Sequence, residues 1–210
     1  VGGTLADIEH ITSPKEPFGV PVTAACDVTN PLFGADGAAY VFAPQKGANA
    51  EQVRALDLGL RHMSKILKRE LGFDSDNLPG AGAAGGLGAG AAAFLNARLK
   101  SGIDIVLDES GFDELAKSAD VIVTGEGRFD SQSIRGKVMS GVCKRAAKSG
   151  VAVYAVCGCA SSDADPAELG IKKLFVSSDG TRTMDELLIS CRRELYAAAT
   201  ALAQELLKCD

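Results

Sequence analysis

The sequence predicts an α/β protein built on a parallel sheet. In the second half, short apolar runs rich in β-branched residues alternate with stretches of helical period. Strands fall at residues 121–123, 151–156 and 173–176, and helices at 137–148, 163–169 and 184–207. Strands alternating with helices pair in parallel through right-handed crossovers. A hydrophobic content of 46% against 23% charged residues is that of a soluble globular chain, and 210 residues suffice for one large or two small cores. Residues 119–210 read as a compact three-strand unit.

Taken in order, residues 5–11 are a short helical candidate and 13–17 a proline-containing loop. Residues 20–27, VPVTAACD, read as a strand carrying Asp27 at its end, and Asn30-Pro31 marks a turn. Residues 37–42 suit one or two helical turns, and 43–47 a loop with one cation, Lys46. Asn49 is a good N-cap for a helix over 50–70, with Val53, Leu56, Leu60, Met63 and Leu67 on one face and Gly72 as its stop. His62 flanks that stripe in a packing or surface role. The segment 79–90, PGAGAAGGLGAG, enters an alanine-rich helix over 91–99. Residues 103–108 suit strand or helix equally, and 113–119 form a short helix. In the last helix Met184, Leu187, Leu188, Cys191, Leu195, Ala198, Leu202 and Leu206 form the stripe expected to be buried.

Composition narrows the function classes. A net charge of -5 and a pI near 5.1 argue against a nucleic-acid surface, and absence of Trp argues against base stacking. The longest apolar stretches, such as 151–160, are half what a bilayer span requires, so no membrane partner is expected. Six cysteines without a C-x-x-C pair, with only His10 and His62 to complement them, read as reduced thiols of a cytosolic protein rather than as a zinc site. The chain opens at Val1 without an initiator Met or a leader-like segment, as if cut from something longer.

The most informative stretch is 121–137, VIVTGEGRFDSQSIRGK. An apolar run, expected to be a buried strand, stops at Gly125 and releases Glu126, Arg128, Asp130 and Lys137 into a strand-to-helix loop. Such loops leave the carboxyl ends of parallel strands, where ligands bind. Two anions and two cations there suit a phosphorylated or carboxylated ligand with a divalent metal. Upstream, Gly80, Gly82 and Gly85 satisfy G-x-G-x-x-G with Asp104 about twenty residues on, but the preceding FDSDNLP is turn-like, which weakens a dinucleotide reading. Two readings stay open for these glycines, tight helix packing and anion binding through unobstructed amides.

Four segments in order carry a resemblance. Residues 25–32 (ACDVTNPL), 37–47 (GAAYVFAPQKG), 79–90, and 123–130 (VTGEGRFD) with Arg135-Gly-Lys137 are similar to the bacterial-type glycerate kinase family. The likeness spans nearly all 210 residues. Ser133 stands where Thr is usual there, and Val138-Met139 where Ala-Pro is usual. The resemblance implies a two-domain glycerate-kinase-like α/β architecture, one domain inserted in the other, with the active site in the cleft between them. Residues 1–118 would be the later part of the inserted domain, and 119–210 the returning part of a Rossmann/flavodoxin-like outer domain. The family's opening D-S-F-K-G-S-like and G-G-S-A-T-N-D-G-G-like motifs do not occur, so the chain is expected to be roughly a C-terminal half, with little turnover alone.

The implied reaction is phosphorylation of D-glycerate by ATP with Mg2+, generally at the 2-hydroxyl, in the cytoplasm. Phosphoryl transfer is mainly positioning and charge neutralisation, and no P-loop sequence is present to supply it. On this reading Gly80, Gly82, Gly85, Gly86 and Gly88 bind an anionic group through backbone N–H donors, with Asn30 and Lys46 as further substrate or phosphate ligands. Glu126 and Asp130 hold Mg2+ directly or through water. Arg128 and Lys137 neutralise phosphate or substrate carboxylate. Asp27 is either the general base for the glycerate hydroxyl or a second metal-associated carboxylate. The alternative is a non-catalytic α/β module that binds a small ligand or a partner.

Overall fold

The computed structural model describes residues 2–12, 19–134, 138–178 and 180–208, with backbone alone for Gln132 and Met184. The chain divides into two compact units, Val1–Gly102 and Ile103–Asp210.

In the first unit, strands β1 (Thr23–Ala25) and β2 (Arg98–Lys100) pair in parallel, Thr23 opposite Arg98 and Ala25 opposite Lys100. Between them lie helices α1 (Ala38–Phe42), α2 (Ala50–Leu71) and α3 (Ala83–Leu95). The ends of α2 follow from its sequence. The Asn49 side chain accepts the Gln52 amide while the Gln52 side chain accepts the Asn49 amide, both at 2.9 Å, and Gly72 closes the helix in the left-handed region at φ 65°. Val53 and Leu60 of α2 are buried with Leu32, Ala38, Ala39, Ala81 and Ala89.

Three expectations for this unit change. The helix expected over 5–11 is a 3-10 turn at Gly2–Asp7, after which the His62 ring meets the Ile8 carbonyl at 2.7 Å. The strand expected over 20–27 pairs only at Thr23–Ala25, extended by the Cys26 amide on the Lys100 carbonyl. The helix expected over 91–99 starts earlier and stops at Leu95. Asn96 takes a left-handed conformation (φ 51°) and returns its N–H to Ala91, which frees residues 98–100 to pair as β2.

The second unit carries helices α4 (Gly102–Glu109) and α5 (Phe112–Lys117), strand β3 (Val121–Phe129), helices α6 (Ser131–Ile134) and α7 (Val138–Ser149), strands β4 (Ala152–Ala160) and β5 (Ile171–Val176), and helix α8 (Met184–Leu206). Its sheet runs β3-β4-β5, all parallel, as the strand and helix alternation predicts. Met139, Val142, Cys143 and Ala146 of α7 pack on Ile122, Val153, Ala155 and Cys157 of the sheet. Ala198 and Leu202 of α8 pack with Tyr154 and Phe175 in a separate cluster. Segment 103–108 is helical. Ile103, Leu107, Phe112 and Ala116 join the α7 core, and the boundary between the two compact units falls at Gly102 and Ile103.

Segment 163–169 is a 3-10 turn, Pro166–Leu169, capped by the Asp165 side chain on the Ala167 amide, because Pro166 is accommodated only in a first helical turn. The α8 stripe is buried only towards its C-terminal end. Leu188, Cys191 and Leu195 are exposed, since 23 helical residues span about 34 Å while the six residues of β5 span about 20 Å.

Arg145 of α7 ties α4 and α5 to the sheet layer. Its Nε donates to Asp113 (2.6 Å) and its Nη1 to Asp108 (2.7 Å), with Asp104 at 3.9 Å. The guanidinium hydrogen bond holds the Asp113 carboxyl below its ordinary value. A lowered carboxyl favours the fold at pH above its unfolded value, and this contribution is lost as pH falls through the folded value. Arg145→Gln should therefore raise the Asp113 pKa towards the ordinary range, read by carboxyl NMR titration, and move the acid unfolding midpoint to higher pH. An unchanged Asp113 titration would refute this.

Candidate functional site

In the second unit the candidate residues gather where β3 and β4 run on past the expected strand end. Strand β3 continues to Phe129 instead of stopping at Gly125, because glycine lets the two backbones close. A Cβ on Gly125 would lie 2.5 Å from the Val156 carbonyl oxygen, and one on Gly158 would lie 2.4 Å from that of Gly127. Glu126 and Arg128 are thus strand residues, opposite Cys157 and Cys159, and Asp130 follows the strand end. The strand is also not buried throughout, since Val123 is half exposed.

Glu126 has the most unusual environment. Its Oε1 is buried and has no hydrogen-bond partner among the described residues. Glu126 lines a cavity of about 600 Å3 together with Gly125, Cys157, Ser177, Cys191 and Arg192. The Cys157 thiol beside it is pushed up to about 11, chiefly by burial and further by Cys159 and Glu126.

Arg128 and Asp130 form an ion pair at 3.6 Å (Nε to Oδ2), the arginine 65% exposed. Their turn is held by a buried hydroxyl. The Asp130 N–H donates to Ser133 Oγ (3.1 Å), Ser133 Oγ donates to the Arg128 carbonyl (3.3 Å), and the Ser133 N–H donates to the Asp130 carbonyl (2.9 Å). Lys137 lies outside the described residues.

In the first unit Asp27 is exposed at the end of β1, and its Oδ1 accepts the Gly102 amide at 2.7 Å. A Cβ at Gly102 would meet both carboxylate oxygens at 3.3 Å. Asn30 Nδ2 donates to the Asp36 carbonyl at 2.8 Å, and the Asn30 carbonyl accepts the Gly82 amide at 3.0 Å. Lys46 lies in the turn Pro44–Lys46 and lines two small cavities of about 410 and 340 Å3.

The glycine-rich segment is not an open cradle of free amides. Besides Gly82, the amides of Ala83, Gly85, Gly86 and Ala89 donate to carbonyls of Gly80, Gly82, Gly82 and Ala81. A Cβ on Gly82 would lie 2.2 Å from the Pro31 carbonyl oxygen, one on Gly88 2.1 Å from that of Gly80, and one on Gly80 2.7 Å from Cys26 Sγ. Close packing thus accounts for these three. Ala84, Gly85 and Gly86 form a left-handed turn (φ 51°, 75° and 101°), and Gly85 alone among the five glycines of the segment named above has no neighbour to a Cβ within 4 Å. Among the described residues no group of three or more His, Cys, Asp or Glu side chains gathers as a metal centre. None of the described helices is long and apolar enough to cross a membrane.

Comparison with known proteins adds the relationship. A model of the glycerate kinase family matches residues 1–207. The chain is 44% identical over 206 residues to the glycerate kinase of Halalkalibacterium halodurans, a match covering 96% of this chain and 54% of that protein. To the glycerate 2-kinase of Escherichia coli K12 it is 42% identical over 185 residues, covering 85% and 49%. The crystal structure of a candidate glycerate kinase 2 from Salmonella typhimurium LT2 superposes with a TM-score of 0.77 at 34% identity, over 98% of this chain and 55% of that one. The chain spans about half the length of the curated relatives it matches.

The strand contact behind the site can be tested directly. Gly125→Ala and Gly158→Ala should each destabilise the protein by about 1–3 kcal/mol in urea unfolding. Gly127→Ala, whose Cβ meets nothing within 4 Å, should stay within about 0.5 kcal/mol of wild type. Equal stability of all three variants would contradict the close approach.

Proposed function

The chain belongs to the glycerate kinase family, and on that premise we propose that it serves the ATP-dependent phosphorylation of D-glycerate, with Mg2+ and with 2-phosphoglycerate as product, in the cytoplasm. The observation that carries the site assignment is the orphaned Glu126 Oε1 on a cavity wall at the carboxyl ends of β3 and β4. A buried polar atom left without a partner costs about 1–3 kcal/mol. A hard cation or a ligand hydroxyl would supply the missing partner. Mg2+ is commonly held by one or two carboxylates, with water and phosphate oxygens completing its octahedron, so a site without three gathered ligands fits it.

On this reading Glu126 holds Mg2+, which when bound neutralises charge on the transferring phosphoryl group. Asp130 acts through water and orients Arg128 by their ion pair. The exposed Arg128 guanidinium takes phosphate oxygens bidentately, and Lys137 adds a second cation. Asp27, held by the Gly102 amide, receives the proton of the glycerate hydroxyl. Asn30 and Lys46 serve the substrate carboxylate. Gly80, Gly82 and Gly88 shape the backbone of their unit, leaving Gly85 and Gly86 at the turn as the segment's nearest approach to an anion.

Release of ADP with D-glycerate and Mg-ATP, measured on the encoded protein, tests the proposal. Glu126→Gln should lower kcat by about 100-fold or more, and Asp27→Asn by about 100-fold. The product should be 2-phosphoglycerate by phosphorus NMR. Turnover equal to wild type in both variants would overturn the site assignment, and wild-type ADP release independent of glycerate would overturn the function.

A further inference from the structure

The cavity beside Glu126 carries a cation that the reading above leaves unused. Arg192 of α8 lines it, is exposed, and among the described residues has no ion pair or hydrogen bond. The nearby acid on the same helix is already taken, since Glu194 pairs with Arg182, which also donates to Ser190. Nor do Glu126 and Arg192 form an ion pair, and the buried Glu126 Oε1 has no partner among the described residues. One cavity thus presents a carboxylate oxygen and a guanidinium that both lack a partner among the described residues, with Val156 and Leu195 as apolar walls that strengthen charge interactions inside. Its volume, about 600 Å3, is that of a small-molecule site.

We propose that Arg192 is a further binding residue of this site and takes an oxyanion of the ligand, a carboxylate or a phosphate, while Glu126 engages the ligand's hydroxyl or its metal ion. The planar fork of arginine matches either oxyanion bidentately. The inference rests on the Glu126 cavity being the ligand site, and it adds a residue from α8 to a site otherwise built from β3.

Cys191 supplies the readout. It lines the same cavity and is an exposed free thiol, so an occupied cavity should slow its alkylation. The 210-residue protein is treated with a maleimide in the presence of D-glycerate, inorganic phosphate or ADP, each with and without Mg2+, and modification of Cys191 is followed by peptide mass spectrometry. At least one ligand should protect Cys191. Arg192→Gln should raise the half-protecting concentration about tenfold, with Arg192→Lys in between. Protection by glycerate assigns the carboxylate to Arg192, and protection by phosphate or ADP assigns the phosphate. Unchanged half-protection in Arg192→Gln, or no protection of wild type by any ligand up to the order of 10 mM, overturns the proposal. Loss of the Mg2+-dependent part of protection in Glu126→Gln alone leaves the Glu126 reading standing and this one refuted, and the converse pattern separates them the other way.

Discussion

At the carboxyl end of the second sheet, the backbones of β3 and β4 approach so closely that neither Gly125 nor Gly158 has room for a methyl group. Much of the unit's site follows from that contact. It carries the ladder six residues beyond Val123, seats Glu126 opposite Cys157, and delivers Phe129 into the core on the α7 side. The turn that follows is then locked by the buried Ser133 hydroxyl, which sets the Arg128 and Asp130 pair at the rim. A side chain at either glycine would part the strands where Glu126 and Arg128 take their positions.

The polar groups of this region are arranged around a local conflict. Glu126 places a carboxylate oxygen beside a buried thiol, with no donor to it among the described residues. Other charged groups of the unit are satisfied within the protein, as in the Arg145 cluster and the Arg182 pair with Glu194. Buried polar groups are ordinarily paired, so an exception on a cavity wall is informative in a way that a satisfied ion pair is not.

The elements most legible in the sequence were those whose ends carry their own chemistry. Asn49 and Gly72 delimit α2 in the sequence and in the structure alike. The parallel pairing of β3, β4 and β5 followed from alternation of strands with helices. What was not legible depends on contacts distant in sequence. Gly125 reads locally as a strand terminator, yet its role is set by Val156. The α8 stripe has the period of a buried helix, but how much sheet lies beneath it is a tertiary fact. Of the site, Glu126, Arg128 and Asp130 were visible as a charged group after an apolar run. Cys157, Ser177, Cys191 and Arg192 join that cavity only once β4, β5 and α8 are in place.

The segment 79–90 invites description as a linker, with alternating glycines and almost no side chains to hold it. The amides of Ala81, Gly82, Ala83, Gly85, Gly86 and Ala89 are nonetheless hydrogen-bonded, and Gly80, Gly82 and Gly88 sit where neighbouring atoms leave no space for a side chain. Composition and mobility therefore part company here. In hydrogen exchange this stretch belongs with the protected core of its unit, and proteases would find little unpaired backbone to grip. For protein engineering it is a poor place to open the chain or insert a tag, despite looking in sequence like the most permissive one.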